Sequence, residues 1–336
     1  MLYSFLLATA LSMGHGADIA AAARADTTAL DTSALVRNNT SLLRIVVSRD
    51  GKPVWSRSYN AHPDTALCNN QSLTKSVMSL LIGIAIDKGF IPSIDEPIVH
   101  YFPSLQSDPD PRKRAIRIRD IMDQASGLWH EDLNKLNTYL SLPDPSGFVL
   151  SQPLVSDPGA VFHYNNAATH LLSVILTRAT GESTLAFAQQ NLFGPLAIGD
   201  VQWDKMKDGY YDGCGLLSLH TRTDDMNRIG TLLLSGGVYH GTRIVSKAWI
   251  DGLLHPAQTY PTPWGFPGSR YALCYYHYTY AGEDLTYGLG WGGQFLVVVP
   301  SRGVVVTVNQ NPMTALALRH SVEFTSGVWG EIWKGL

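Results

Sequence analysis

Charge is scarce in this sequence. Of 336 residues only 25 are Lys or Arg and 28 are Asp or Glu, for a net charge of −3. That balance favours neither nucleic acid nor an acidic membrane surface as a partner. One basic run, Pro111-Arg112-Lys113-Arg114 with Arg117 and Arg119, reads better as a solvated loop and helix start than as a binding patch. Cysteine is scarcer still. Cys68, Cys214 and Cys274 form no CxxC and no metal-type spacing with His, so no zinc site is expected. Their odd number leaves at least one thiol outside any intramolecular pair, and all three read as packing residues. No later stretch reaches about eighteen uninterrupted apolar residues, so no membrane span is expected. Gly-x-Ser-x-Gly, Walker and Rossmann glycine patterns are missing, which removes the α/β-hydrolase elbow and the common nucleotide cradles. Internal repeats and low-complexity segments are also lacking. No cofactor and no metal are called for.

What is present is a large apolar fraction, 45%, enough for a substantial core. Residues 1–35 form a separate N-terminal segment. Leu2 to Met13 is an apolar stretch of leader length, and Ala23-Arg24-Ala25 before Asp26 fits a small-x-small cleavage site. No basic residue precedes the stretch, and Gly14-His15-Gly16-Ala17-Asp18 interrupts it. Two readings stand: a secretory leader, implying a secreted or periplasmic protein, or an N-terminal helix packed on a cytoplasmic domain.

Strands sit at both ends of the remaining chain. Residues 42–48 and 54–59 flank the hairpin signal Asp50-Gly51, and 294–299 and 304–309 flank Pro300-Ser301-Arg302-Gly303. After Pro312 a helix is expected, with Leu316, Leu318, Val322, Val328 and Ile332 as its apolar positions. The middle has helical spacing. Val77, Leu80, Leu81, Ile84 and Ala85 mark one helix face, with Gly89 at its C-terminal cap. Residues 167–177 and 224–234 also read as helices. The expected architecture is α+β: one domain over 36–336, with a sheet lobe from 36–66 and 237–336 and a mostly helical lobe over 67–236. A cleft between such lobes suits a ligand.

Three short elements carry chemistry. Gln71-Ser72-Leu73-Thr74-Lys75-Ser76 opens the apolar helix. Ser72 and Lys75 lie three apart, on one face of a helical turn, where the amine can approach the hydroxyl. Serine needs a neighbour to take its proton, and the amide N–H groups at a helix start suit an anionic intermediate. The plain alternative is an N-cap serine beside a solvated lysine. Pro158-Gly159-Ala160-Val161-Phe162-His163-Tyr164-Asn165-Asn166 leads into the next helix. Tyr164 and Asn166 can both face a cleft, or can be a packed ring and a helix cap. Gly288-Leu289-Gly290-Trp291-Gly292-Gly293-Gln294 runs into a strand, where glycines admit close approach of a ligand or backbone and the Gln294 N–H becomes available as a donor.

In this order the elements resemble the β-lactamase-related serine hydrolases, which include penicillin-binding proteins, class C β-lactamases and family VIII carboxylesterases. The resemblance covers about residues 40 to 325. It rests on Ser72-Leu73-Thr74-Lys75, Tyr164-Asn165-Asn166 and Trp291-Gly292-Gly293, supported by residues 118–128 and by Gly215-Leu216-Leu217-Ser218. It implies the β-lactamase/transpeptidase-like fold, with Ser72 as nucleophile. Lys75 and Tyr164 would share the acid–base work, in an order left open. Asn166 would position Lys75 or the substrate amide, and the N–H groups of Ser72 and Gln294 would form the oxyanion hole. The third motif departs from the pattern: Trp291 stands where carboxylate-binding relatives offer Lys or His, which is similar to the esterases instead. Glu131-Asp132-Leu133-Asn134 is close to a class A β-lactamase motif, but it is one residue short and too early.

The expectation is a cofactor-free serine hydrolase of carboxylic esters, extending to amides, with a small-molecule substrate and no nucleic-acid partner. The alternatives are a β-lactamase or D-alanyl-D-alanine carboxypeptidase, a non-catalytic scaffold, and an acyltransferase. The aromatic stretch Tyr271, Tyr275, Tyr276, His277, Tyr278, Tyr280 and Tyr287 either lines the cleft or forms a hairpin with alternating aromatics. Oligomeric state is not legible.

Overall fold

The computed structural model describes residues 33–132 and 135–336. The proposed leader and most of residues 1–35 lie outside the described residues, as do Leu133 and Asn134.

Eight antiparallel strands form one sheet: β1 (Leu42–Arg49), β2 (Lys52–Ser58), β3 (Tyr260–Pro261), β4 (Arg270–Ala272), β5 (Tyr275–Tyr280), β6 (Glu283–Gly290), β7 (Gln294–Val299) and β8 (Val304–Gln310). Their order is β2-β1-β8-β7-β6-β5-β4-β3, so the first strand of the chain pairs with the last. The fold is α+β and β-lactamase/transpeptidase-like, with the sheet drawn from both ends of the domain.

The sheet is buried on both faces at its centre, which is why β7 is apolar at every position after Gln294. Phe295, Val297 and Val299 pack toward the C-terminal helices, while Leu296 and Val298 join the larger helical core. Two residues pin a helix to that second face. Asn227 donates to Thr307 Oγ1 at 3.1 Å, and Gly230 approaches so closely that an added Cβ would lie 2.4 Å from Val305.

Four helices matter most before the C-terminus: α1 (Thr74–Asp87), α2 (Asn166–Thr180), α3 (Thr223–Leu234) and α4 (Lys247–Leu254). The expected apolar stripe on α1 proves too narrow. Met78, Ser79, Ile82 and Gly83 are buried as well, because α1 runs through the middle of the helical core. Gly83 leaves room for Trp249 of α4.

The C-terminal helix differs from expectation. It forms as α5 (Ala317–Glu323) and α6 (Trp329–Lys334), joined by a π-helical turn at Phe324–Val328. Val328 and Ile332 are buried, but Leu316, Leu318 and Val322 are exposed. The buried stripe instead runs through Ala317, His320, Phe324, Val328 and Ile332, spaced three or four residues apart, with Trp329 beside them. The basic run is matched locally by acids: Arg112 pairs with Asp110 and Asp157, Lys113 with Asp108, Arg117 with Asp120 and Arg119 with Asp95. All three cysteines are buried and unpaired.

Candidate active site

Ser72 lies in a 3₁₀ turn, Gln71–Leu73, just ahead of α1. Lys75 lies in the first turn of α1, three residues on, and its Nζ stands 3.1 Å from Ser72 Oγ. Ser72 caps neither helix start, so its hydroxyl is not spent on a backbone N–H. The preceding residue, Gln71, holds a left-handed φ of 50°, a conformation that costs roughly 1–3 kcal/mol outside glycine. Its N–H is held by Ser218 Oγ at 2.7 Å and Asn69 Oδ1 at 3.0 Å.

Lys75 is 1% exposed. An ammonium has three donors, and three acceptors meet this one: Ser72 Oγ, Asn166 Oδ1 at 2.6 Å and the Cys214 carbonyl. Its Nζ also lies 4.8 Å from the centre of the Tyr164 ring. Burial pulls the Lys75 pKa down, but Tyr164, Cys214 and Asp212 outweigh it, and the amine is held above its ordinary value. The amine is therefore a resident cation.

The Cys214 carbonyl is aimed by a buried carboxylate. Asp212 Oδ1 accepts from the N–H groups of Cys214 at 2.8 Å and Gly215 at 3.1 Å, and Oδ2 from those of Leu217 at 2.7 Å and Ser218 at 2.9 Å. The Cys214 thiol donates to the same Oδ1; burial and then Asp212 push that thiol well above its usual pKa. Gly215 lets this loop lie against the nucleophile turn, since a Cβ there would sit 2.2 Å from the Gln71 carbonyl oxygen.

The second motif divides its work. Asn165 is the cap of α2, accepting from Ala168 N–H at 2.7 Å. That frees Asn166, the first helical residue, to meet Lys75. Tyr164 packs edge-to-face on Trp264, with centroids 6.4 Å apart.

The third motif is split by the hairpin turn. Gly288 and Gly290 of β6 bring the strand flush against the nucleophile turn, where a Cβ on Gly290 would meet the Asn70 carbonyl oxygen at 2.3 Å. Trp291 follows at the open end and is 45% exposed. Gly292 and Gly293 have φ of 77° and 90°, and Gly292 packs on Pro312. Gln294 is wholly buried, in register with Gly290. Its side chain bonds the Gln310 carbonyl at 2.8 Å and Asn309 at 2.9 Å, and Asn309 reaches Asn70 at 3.3 Å. The structure thus brings Ser72, Lys75, Tyr164 and Asn166 together and sets Gln294 behind them.

Asp212 and Trp264 are not singled out by the sequence; Glu131 is set aside there as part of a near-miss motif, and Cys214 is read as a packing residue. Glu131 bonds both Asn166 and the start of α2. The aromatic stretch is mostly core: Tyr271, Tyr275, Tyr276 and Tyr287 are buried, although Tyr276 reaches Tyr164. Among the described residues no group of His, Cys, Asp and Glu could hold a metal, and no helix is long and apolar enough to cross a membrane.

A serine–lysine pair on the opening turn of a buried helix, beside an antiparallel sheet, defines the transpeptidase-like class of serine hydrolases. The beta-lactamase family model matches residues 40–321, and the chain belongs to that family. A 6-aminohexanoate-dimer hydrolase of Paenarthrobacter ureafaciens is 26% identical over 196 residues, 54% of this chain and 49% of that protein. The chain thus matches about half the length of that relative. Two solved structures share the fold. A D-stereospecific amidohydrolase from Streptomyces sp. has a TM-score of 0.68 at 16% identity, covering 90% of this chain and 98% of that one. A D-alanine carboxypeptidase from Burkholderia cenocepacia also has a TM-score of 0.68 at 16% identity, covering 93% and 98%.

Proposed function

We propose that this protein hydrolyses uncharged carboxylic esters and amides through an acyl-enzyme on Ser72. The observation that carries the reading is the filled donor set of Lys75. Ser72 Oγ, Asn166 Oδ1 and the Cys214 carbonyl supply an acceptor for each N–H, with Tyr164 as a further hydrogen-bond partner, so in this reading the amine donates to Ser72 Oγ rather than drawing its proton. The Ser72 proton then passes to the phenolate oxygen of an ionised Tyr164, whose ring lies beside the same cation. Ser72 Oγ attacks the acyl carbon, Tyr164 returns the proton to the leaving oxygen or nitrogen, and water releases the acyl group by the reverse path. The Ser72 N–H is one proposed oxyanion donor. The sequence points to the Gln294 N–H for the other; its burial favours the Trp291 N–H at the open end of β6.

Trp291 and Trp264, 45% and 37% exposed, favour apolar groups over carboxylates, because no cation stands at Trp291. The amide half of the proposal draws on the 6-aminohexanoate-dimer hydrolase and amidohydrolase relatives. The test is a fluorophosphonate probe with a substrate panel. Labelling of wild type, lost in Ser72→Ala, with turnover of a nitrophenyl ester and none of a chromogenic cephalosporin, supports the reading. Labelling that survives Ser72→Ala overturns it.

A further inference from the structure

An asparagine side chain has nearly the same shape in its two flipped forms, so its neighbours decide which atom points where. At Asn166 the choice has chemical consequences. Oδ1 accepts from Lys75 at 2.6 Å, and Nδ2 donates to Glu131 Oε1 at 2.5 Å. The reverse form would set an NH₂ against an ammonium and a carbonyl oxygen against a carboxylate, two repulsions in a buried place. Glu131 is 8% exposed. It also accepts the N–H of Asn166 through Oε1 at 3.2 Å and that of Ala167 through Oε2 at 3.1 Å. Its own segment is fastened to the same helix start, since Asn165 Nδ2 donates to the carbonyls of Leu128 at 3.1 Å and Trp129 at 3.0 Å. His130 stacks on His163, with centroids 5.2 Å apart and planes 13° apart.

We infer that Glu131 is the positioning residue of this site, holding the Asn166 amide so that its oxygen faces Lys75. The inference rests on the hydrolase reading above. Glu131 touches neither substrate nor Ser72; it acts through Asn166. A Gln at 131 keeps the shape but presents an NH₂ to a set of N–H donors, so one of them loses its acceptor. Asn166 then loses the bond that selects its flip, and Lys75 loses one of its three acceptors.

Capping of α2 by Glu131 is a rival role, and a double-mutant cycle separates the two. The readout is the rate at which a fluorophosphonate labels Ser72, across pH, on protein whose fold is checked by circular dichroism. Glu131→Gln is expected to slow labelling by ~10- to 100-fold, the range seen when a reacting group is misplaced by about 1 Å. It is also expected to shift the pH at which labelling rises. The ionisable groups facing Lys75 there are Tyr164, Cys214 and Asp212. In an Asn166→Ala background the same change is expected to cost less than ~2-fold, because the route is already cut. Equal losses in both backgrounds, or an unmoved pH profile, overturn the inference. If Glu131→Gln does not fold, Glu131→Asp, which keeps the charge but shortens the reach, enters the same cycle with the same criteria. Failure of wild type to label sinks the hydrolase reading itself; labelling that ignores residue 131 sinks only the positioning role.

Discussion

Lys75 Nζ and Asn166 Oδ1 stand 2.6 Å apart across 91 residues of sequence, a charge-assisted bond that joins the start of α1 to the start of α2. Around it the amine finds every acceptor it can use. A cation held this way keeps its proton and orders its neighbours.

Lys75→Ala and Tyr164→Phe are each expected to lower kcat/KM on a nitrophenyl ester by ~10²- to 10⁴-fold, the usual worth of a positioned charge for Lys75 and of a positioned acid–base group for Tyr164. Both should stay folded by circular dichroism. Tyr164→Phe keeps the ring on Trp264 and removes only the hydroxyl. A rate near wild type in Tyr164→Phe removes Tyr164 from the proton path; the same result in Lys75→Ala removes the cation from the mechanism.

Asp212→Ala is expected to destabilise the fold by at least about 3 kcal/mol, since it strands three buried N–H groups and a part-buried fourth in one loop. Burial pushes this carboxyl up, but the Cys214 thiol, His170 and the loop N–H groups outweigh it and hold it below the usual 3.8. Its stabilising contribution is therefore full above that value and is lost as pH falls through the folded one. Urea midpoints between pH 2 and 7 read both effects; an alanine variant with an unchanged midpoint at neutral pH would refute the loop-holding role.

Two groups shifted by desolvation, the half-buried His277 and the buried Asp123, are expected to act in opposite directions on stability. Burial lowers His277 to about 4, so the unfolded chain binds the proton more readily, and stability falls as pH drops from 6.5 toward 4, by on the order of 3 kcal/mol. Burial raises Asp123 to about 6, so stability falls as pH rises from 3.8 to 6. Asp123→Asn keeps an acceptor for Leu273 N–H and should be more stable than wild type at pH 8 by about 2 kcal/mol, with the gain gone at pH 4. A gain that is the same at both pH values would reject the assignment.

Two glycines provide a matched contrast. Gly290→Ala would press a methyl onto the Asn70 carbonyl; it is expected to cost about 1–3 kcal/mol and to depress ester turnover by moving β6 off the nucleophile turn. Gly252→Ala lies in α4 with nothing within 4 Å and should stabilise by about 0.5–1 kcal/mol with activity intact. Thermal melts and initial rates on the two variants decide the matter.

The parts legible in the sequence are those written in local spacing. The strands at 42–48, 294–299 and 304–309 alternate or run apolar, and their observed bounds differ by a residue at most. Ser72 and Lys75 share a turn, so three residues of sequence suffice to pair them. The rest arrives by main chain or from far away. Cys214 contributes only its carbonyl, which no residue type advertises. Glu131 meets Asn166 across 35 residues, through a contact that exists only once the helical core has closed. Leu316, Leu318 and Val322 misled because they lie off the buried face that carries Val328 and Ile332; that face passes through Ala317 and His320, whose side chains carry a weaker apolar signal.

The two margins of the large sheet are unlike its middle. One is β2, which opens on exposed Lys52 and Pro53; the other is β3, two residues long and ending in Pro261. Proline offers no N–H to an incoming chain, and a lysine resists desolvation there. Side-by-side association of copies into fibrils is thereby discouraged at both borders, so concentrated stocks should stay clear for as long as the fold stays shut.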